Sequence, residues 1–207
     1  MSTFTLKEAR SWMTTFASLT EQNASMLDDL DSPIGDGDHG TNMSRGFTAV
    51  VKKIEAGSFA DFGALFKSVG MTLLSTVGGA AGPLYGGFFL ALGKKGAGKT
   101  EFDTAGLGLA LEGGLEDIKT RGKAQLGDKT MVDALTPALA AFKATGDSLP
   151  VATKAAAETA ADAAEKTIPL LARKGRASYL GERSIGHKDP GAASSALMLQ
   201  ALAKVCA

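Results

Sequence analysis

Apolar residues recur at helical spacing along nearly the whole chain, whereas the period-two alternation of β-branched residues that marks strands is almost missing. Leu6, Ala9, Met13, Phe16, Ala17 and Leu27 share one face of a first predicted helix, with Lys7, Glu8, Arg10 and Glu21 elsewhere on its surface. Met43, Phe47, Val50, Val51 and Ile54 line a second, and Phe62, Leu65, Phe66, Val69 and Leu73 a third. Met131, Leu135, Ala138, Leu139 and Phe142 repeat the pattern after a Gly-Asp-Lys-Thr start. The stretch from Val151 to Ala172 is dominated by alanine, the best helix former, whose small side chain lets neighbouring helices approach closely. A last helix is predicted from Asp189 to Val205, with Asp189 as N-cap, Pro190 at the first helical position and Leu197, Ala201, Leu202 and Val205 on its apolar face. Segments 83–92 and 103–121 add helices despite Gly106, Gly108, Gly113 and Gly114. The predicted fold is all-α: a closed barrel or bundle of about eight antiparallel amphipathic helices, forming a single domain over residues 1–207.

Charge and cysteine content narrow the function classes. Twenty-two Lys plus Arg balance twenty-two Asp plus Glu, so the chain lacks the electrostatic footprint of a protein that binds nucleic acid or an anionic membrane. Hydrophobic residues at 44% and charged residues at 21% are globular proportions, far from those of disordered chains. The one cysteine, Cys206, has no partner for a disulfide. The N-terminal segment is polar and amphipathic, and no apolar run approaches the ~18 residues of a transmembrane span. A cytoplasmic location is expected.

The unusual residues gather in the junctions 28–40, 77–87, 121–130 and 173–191. Alternate loops of an up-and-down bundle share one end, so these junctions are expected to converge on one site. The first places Asp28, Asp29, Asp31, Asp36 and Asp38 within eleven residues, interleaved with Gly and Pro, and no Lys or Arg lies between Asp28 and Arg45. A solvated turn is one reading. The other is a hard divalent cation as counter-charge: the EF-hand pattern is absent, and Mg²⁺ with a phosphate co-ligand fits better, because Mg²⁺ takes one or two carboxylates and completes its shell with water and phosphate. The helix that follows, opening at Gly40-Thr41-Asn42, offers backbone N–H groups and a positive dipole end to an anion. Val77-Gly-Gly-Ala-Ala-Gly-Pro83 has no side chain larger than valine, which suits either tight helix packing or direct contact of main chain with a ligand. Residues 173–191 hold the one basic concentration, either a solvated loop or a phosphate clamp.

Six segments together resemble a known family: Ile34-Gly-Asp-Gly-Asp-His-Gly-Thr-Asn-Met43, Gly70-Met-Thr-Leu-Leu-Ser, Gly78-Gly-Ala, Arg121-Gly-Lys-Ala, Gly127-Asp-Lys-Thr-Met131 and the long block from Arg173 to Gly191. The family is the nucleotide-binding L subunit of bacterial dihydroxyacetone kinase, and the resemblance runs nearly end to end. It implies an eight-helix closed barrel with the nucleotide site in the loops at one end, and two Mg²⁺ ions held by Asp31, Asp36 and Asp38. It also implies ADP/ATP contacts at His39, Gly40, Thr41, Asn42, Ala80, Ala81, Gly122, Met131, Arg176, Asp189, Pro190 and Gly191. Family members often carry serine where this chain has Ala81, which leaves only a backbone N–H there. His39 is open to three roles: helix cap, nucleotide contact or support for a metal ligand. In phosphotransferase-linked members, bound ADP accepts a phosphoryl group from a phosphohistidine carrier (the M subunit) and passes it to dihydroxyacetone held on the K subunit. The resemblance thus implies those two partners, compatibility with a homodimer, and no covalent nucleophile on this chain. Direct use of exchangeable ATP, on dihydroxyacetone or a related ketose, is the alternative.

Two further readings compete. Gly93-Lys-Lys-Gly-Ala-Gly-Lys-Thr100 satisfies the P-loop pattern letter for letter, but that motif works between a buried strand and a helix of a parallel sheet, a setting this sequence does not supply. A basic connection between helices is the preferred assignment. A non-enzymatic helical protein that only sequesters a cation is the other, and it implies metal binding without nucleotide.

Overall fold

The computed structural model describes residues 3–207; Met1 and Ser2, the start of the polar N-terminal segment, lie outside the described residues. The chain is helical almost throughout. Nine α-helices occur among the described residues: α1 (Leu6–Gln22), α2 (Ala24–Asp31), α3 (His39–Glu55), α4 (Phe62–Thr76), α5 (Ala81–Lys95), α6 (Thr104–Gly122), α7 (Met131–Ala144), α8 (Leu149–Glu165) and α9 (Pro190–Cys206). A 3₁₀ segment, Arg176–Ser184, lies between α8 and α9. Two strands of two residues each, β1 (Phe4–Thr5) and β2 (Glu101–Phe102), pair antiparallel and bring Phe4 opposite Phe102.

The helix starts follow local chemistry. Thr5 and Glu8 form a capping box on α1, and Thr130 and Asp133 form one on α7. Asp61 accepts the Ala64 N–H at 2.7 Å and Asp103 accepts that of Gly106 at 2.7 Å, starting α4 and α6. Asp189 caps α9 through the Ala192 N–H at 2.7 Å, with Pro190 in the first turn as the sequence predicts.

Three expectations are corrected. The first predicted helix is two, because at Asn23 both the backbone N–H and the side-chain amide turn to the Leu19 carbonyl, at 3.1 and 2.8 Å, and end α1. The alanine-rich helix stops at Glu165, short of Ala172, where the Thr167 hydroxyl bonds the Ala164 carbonyl at 2.6 Å and a run of turns follows. Junction 77–87 is helical from Ala81 onward, with Pro83 in the first turn of α5.

Consecutive helices pack in series from α3 to α9; α1 lies against α3, and α9 returns onto α1. The interior is aromatic at one end. Trp12 is fully buried, donates from Nε1 to the Met198 carbonyl at 2.9 Å and tilts against Phe89 at 5.6 Å between ring centres. Phe16 meets Phe47 at 4.4 Å, and Phe62 stacks on Phe102 at 4.5 Å. On the other side α8 packs against α7 and α9 through Ala152, Ala156 and Ala160, all wholly buried. No helix among the described residues is long and apolar enough to cross a membrane.

The P-loop-like stretch closes α5, turns at Gly96 to Thr100 and enters β2, so it stands between a helix and a two-residue strand. Its main chain is committed locally: the Gly98 N–H donates to Asp61 Oδ2 at 2.7 Å, and the Lys99 carbonyl accepts from Phe62 N–H at 2.9 Å. These contacts make it the connection between α5 and α6.

Where α8 presses on its neighbours there is no room for a larger side chain. Ala160→Leu is expected to lower stability by about 1–3 kcal/mol, read as a lower urea midpoint with unchanged helical circular dichroism. An unchanged midpoint contradicts the close packing.

Candidate functional site

Because the helices alternate in direction, α3, α5, α7 and α9 all start at one end of the molecule, and the first residue of each, His39, Ala81, Met131 and Pro190, lines one cleft of about 480 Å³. All four unusual junctions contribute to this cleft, as the sequence reading expects.

Asp31, Asp36 and Asp38 stand on one side, each offering a carboxylate oxygen within 4.8 Å of the others. The loop is built to leave these oxygens available. Asp31 Oδ2 accepts the Gly37 and Asp38 N–H groups at 2.9 and 3.2 Å, which fixes the turn and leaves Oδ1. Gly35 packs against that oxygen so closely that an added Cβ would lie 2.0 Å from Oδ1. Asp38 occupies the N-cap position of α3 yet makes no side-chain capping bond. Asp28 serves instead: its Oδ1 accepts the Thr41 N–H at 3.0 Å and its Oδ2 the Thr41 hydroxyl at 2.7 Å. These are three hard oxygen donors, one freed from capping duty, of the type that Mg²⁺ takes one or two at a time, with water and phosphate completing its shell.

The sequence shows no local counter-charge for this loop, and the structure supplies one from across the cleft. Arg176 Nη1 meets Asp36 Oδ2 at 2.8 Å, tying the basic segment to the acidic loop. Lys174 lines the cleft nearby. Opposite, α5 begins at Ala80-Ala81-Gly82 with no side chain capping it, so the positive end of the helix and its unspent N–H groups open into the cleft. The farther part is apolar, lined by Leu84, Ile118, Ala124, Met131 and Val132.

Of the residues implied by the resemblance, His39, Asn42, Ala80, Ala81, Gly122, Met131, Arg176, Asp189, Pro190 and Gly191 line this cleft together with the three aspartates. Gly40 and Thr41 do not. Gly40 is buried where α3 crosses α2, and an added Cβ would lie 1.9 Å from the Ala24 carbonyl oxygen. Thr41 is occupied by Asp28. Both sit at the cleft's edge in sequence, but the helix turns them away from it. Neither Tyr85 nor Lys129 stands out in the sequence. Tyr85 is buried mid-helix at a position any core aromatic would take, and no local signal marks it.

A hydrogen-bonded chain runs behind the cleft. His39 Nε2 lies 2.9 Å from Ser194 Oγ, which lies 2.7 Å from the Tyr85 hydroxyl, itself 3.3 Å from Ser195 Oγ. Burial holds the His39 imidazole below its ordinary pKa against the opposing pull of the surrounding aspartates, and pushes the Tyr85 phenol up to about 12. His39 is therefore a neutral, hydrogen-bonded group at the start of α3. Asp189 is pushed up to about 7 by burial, against the lowering effect of the Ala192 N–H.

A family model described as the DAK2 domain matches residues 33–204. The chain is 45% identical over 195 residues to the ADP-binding subunit DhaL of PEP-dependent dihydroxyacetone kinase from Escherichia coli, covering 93% of each chain. It is 46% identical over 199 residues to the ADP-binding subunit DhaL of the PTS-dependent dihydroxyacetone kinase of Lactococcus lactis, covering 95% of each. Among solved structures, the dihydroxyacetone kinase of C. freundii in complex with AMP-PNP and Mg²⁺ superposes with a TM-score of 0.74 at 28% identity, over 94% of this chain and 33% of that one. This chain thus spans about a third of that larger kinase.

The raised Asp189 pKa has a signed consequence. An unfolded aspartate ionises near pH 3.9, so the cost of ionising it in the fold is absent below about pH 4, grows as pH rises, and is complete above about pH 7. Asp189→Asn keeps a capping oxygen and does not titrate. Its stability relative to the parent is expected to improve by at least about 1 kcal/mol between pH 4 and pH 8, measured by urea unfolding. A difference that stays constant with pH contradicts the assignment.

Proposed function

We propose, since the chain belongs to the DAK2 domain family, that it is the ADP-binding subunit of a dihydroxyacetone kinase. Its bound ADP accepts a phosphoryl group from a phosphohistidine carrier, the M subunit, and gives it to dihydroxyacetone on the K subunit, forming dihydroxyacetone phosphate. The observation that carries this reading is the pairing, in one cleft, of three close carboxylates with the uncapped start of α5. Nucleotide phosphates satisfy both: they accept from the open N–H groups of a helix start and share a cation with the aspartates. The apolar lining beyond, from Leu84 to Met131, suits the flat face of an adenine ring.

Phosphoryl transfer passes through a loose transition state with charge spread over peripheral oxygens, so positioning and charge neutralisation supply most of the catalysis. Two Mg²⁺ ions held by Asp31, Asp36 and Asp38 would neutralise phosphate charge there. Arg176 would pair with phosphate charge once Asp36 served as a metal ligand, and Ala80 and Ala81 offer main-chain N–H groups where Ala81 has no hydroxyl. Asp189 holds the start of α9, and with it Pro190 and Gly191, against the nucleotide. His39, bonded to Ser194, anchors the end of the acidic loop, and no base is needed from it because the attacking hydroxyl is held on the K subunit.

Residues 1–207 act as one nucleotide-binding unit in this scheme, in the cytoplasm, where nucleotides and phosphoryl carriers meet. The near-complete mutual coverage with separate ADP-binding subunits favours the carrier route over a fused enzyme that spends free ATP.

Titration calorimetry with ADP and Mg²⁺ tests the site. Asp36→Ala and Asp38→Ala are each expected to weaken binding at least 100-fold with the helical circular dichroism unchanged, and to abolish dihydroxyacetone phosphorylation when the partner subunits are supplied. Parental affinity in either variant rejects the metal assignment. Lys99→Ala, in the P-loop-like connection, is expected to leave ADP affinity within twofold of the parent; loss of binding there moves the nucleotide to residues 93–100.

A further inference from the structure

Lys129 is a lysine where few lysines sit: 1% exposed, in the wall of the cleft, with its backbone in the left-handed region at φ 62°. Burying an ammonium is costly unless its donors are satisfied. Here all three find carbonyls: Nζ donates to Thr167 at 2.7 Å, to Ile168 at 3.2 Å and to His187. The three acceptors come from the two ends of one long connection between α8 and α9, which carries Arg176. We propose that Lys129 is a positioning residue: its ammonium gathers both ends of this strap and so sets where Arg176 and the start of α9 meet the bound nucleotide.

Other contacts agree with a preformed strap. The Arg173 N–H donates to the Asp128 carbonyl at 3.0 Å, the Gly186 N–H to Ile168 at 2.9 Å and the Asp189 N–H to Thr167 Oγ1 at 3.0 Å. Beyond its anchors the strap is open at Arg176 and Tyr179, which are both exposed. Removing the ammonium leaves the His187 carbonyl without a donor and takes a second one from the carbonyls of Thr167 and Ile168, which keep the N–H groups of Leu170 and Gly186; the link between the two ends is weakened, and the cheapest relief is for the His187 end to turn toward solvent. Burial lowers the Lys129 pKa, while Asp189 and Asp133 hold the charge in place.

The consequence for nucleotide rests on the proposed function; the consequence for the strap does not, and the two are read separately. In Lys129→Met, which keeps the aliphatic volume, tryptic cleavage after Arg173, Lys174, Arg176 and Arg183 of the folded protein is expected to quicken at least tenfold, located by mass spectrometry, with cleavage elsewhere unchanged. ADP·Mg²⁺ affinity is expected to fall at least tenfold. In Lys129→Ala, n-propylammonium, which replaces the missing carbons and charge, is expected to restore slow cleavage and affinity, whereas n-propanol restores neither. Unchanged strap cleavage, or equal rescue by the alcohol, overturns the proposal. So does quickened cleavage with unaltered ADP affinity in a parent protein that binds ADP. Should the parent not bind ADP at all, the function reading fails and strap cleavage alone decides on Lys129. If both variants fail to fold, hydrogen exchange of the nucleotide-free parent decides: slow exchange at the Gly186 and Asp189 amides supports a preset strap, and exchange at unprotected rates overturns it.

Discussion

The alternation of helix direction around the molecule puts the starts of α3, α5, α7 and α9 at the same end. Each start carries unpaired N–H groups and a partial positive charge, so assembling four of them demands negative charge in return. Three are met from within the chain: Asp28 serves α3, Thr130 with Asp133 serves α7, and Asp189 serves α9. The start of α5 is left open, and the remaining carboxylates, Asp31, Asp36 and Asp38, cluster without reaching it as caps. A ligand that is anionic at one point and shares a cation at another resolves both, which is the chemistry of a nucleotide's phosphates with Mg²⁺.

The same constraint explains the small residues. Gly40 lets α3 cross the backbone of α2, and Gly35 lets the acidic turn close on Asp31. These contacts hold the carboxylates at fixed spacing on a loop whose charges would otherwise drive it apart. Arg176 adds a counter-charge from far along the chain, on a strap held by Lys129. The acidic loop thus takes its counter-charge from a strap that a second junction holds in place, and neither junction forms a site alone.

Much of this was legible in the sequence. Helical spacing gave the class and the start of α9, since Asp189 and Pro190 act locally. The acidic loop and the basic block stood out because charge without a local partner is visible in one dimension. What stayed hidden was pairing at a distance. Arg176 reaching Asp36 and Asp28 relieving Asp38 of its capping role are not encoded in spacing. Nor is the turn that carries Gly40 and Thr41 away from the cleft while Asn42, one residue on, lines it. Helix ends depart from the apolar spacing where a side chain competes with the main chain, as at Asn23 and Thr167. Lys129 sat in plain view within a Gly-Asp-Lys-Thr start, but nothing in that string distinguishes a buried ammonium from a solvated one.

A crystal structure of the chain grown with ADP and Mg²⁺ tests the central claim most directly. Density for metal among Asp31, Asp36 and Asp38, with the phosphate chain running from it to the first N–H groups of α5, is the expected result. A nucleotide seated elsewhere, or those three carboxylates facing water with no ion between them, contradicts it.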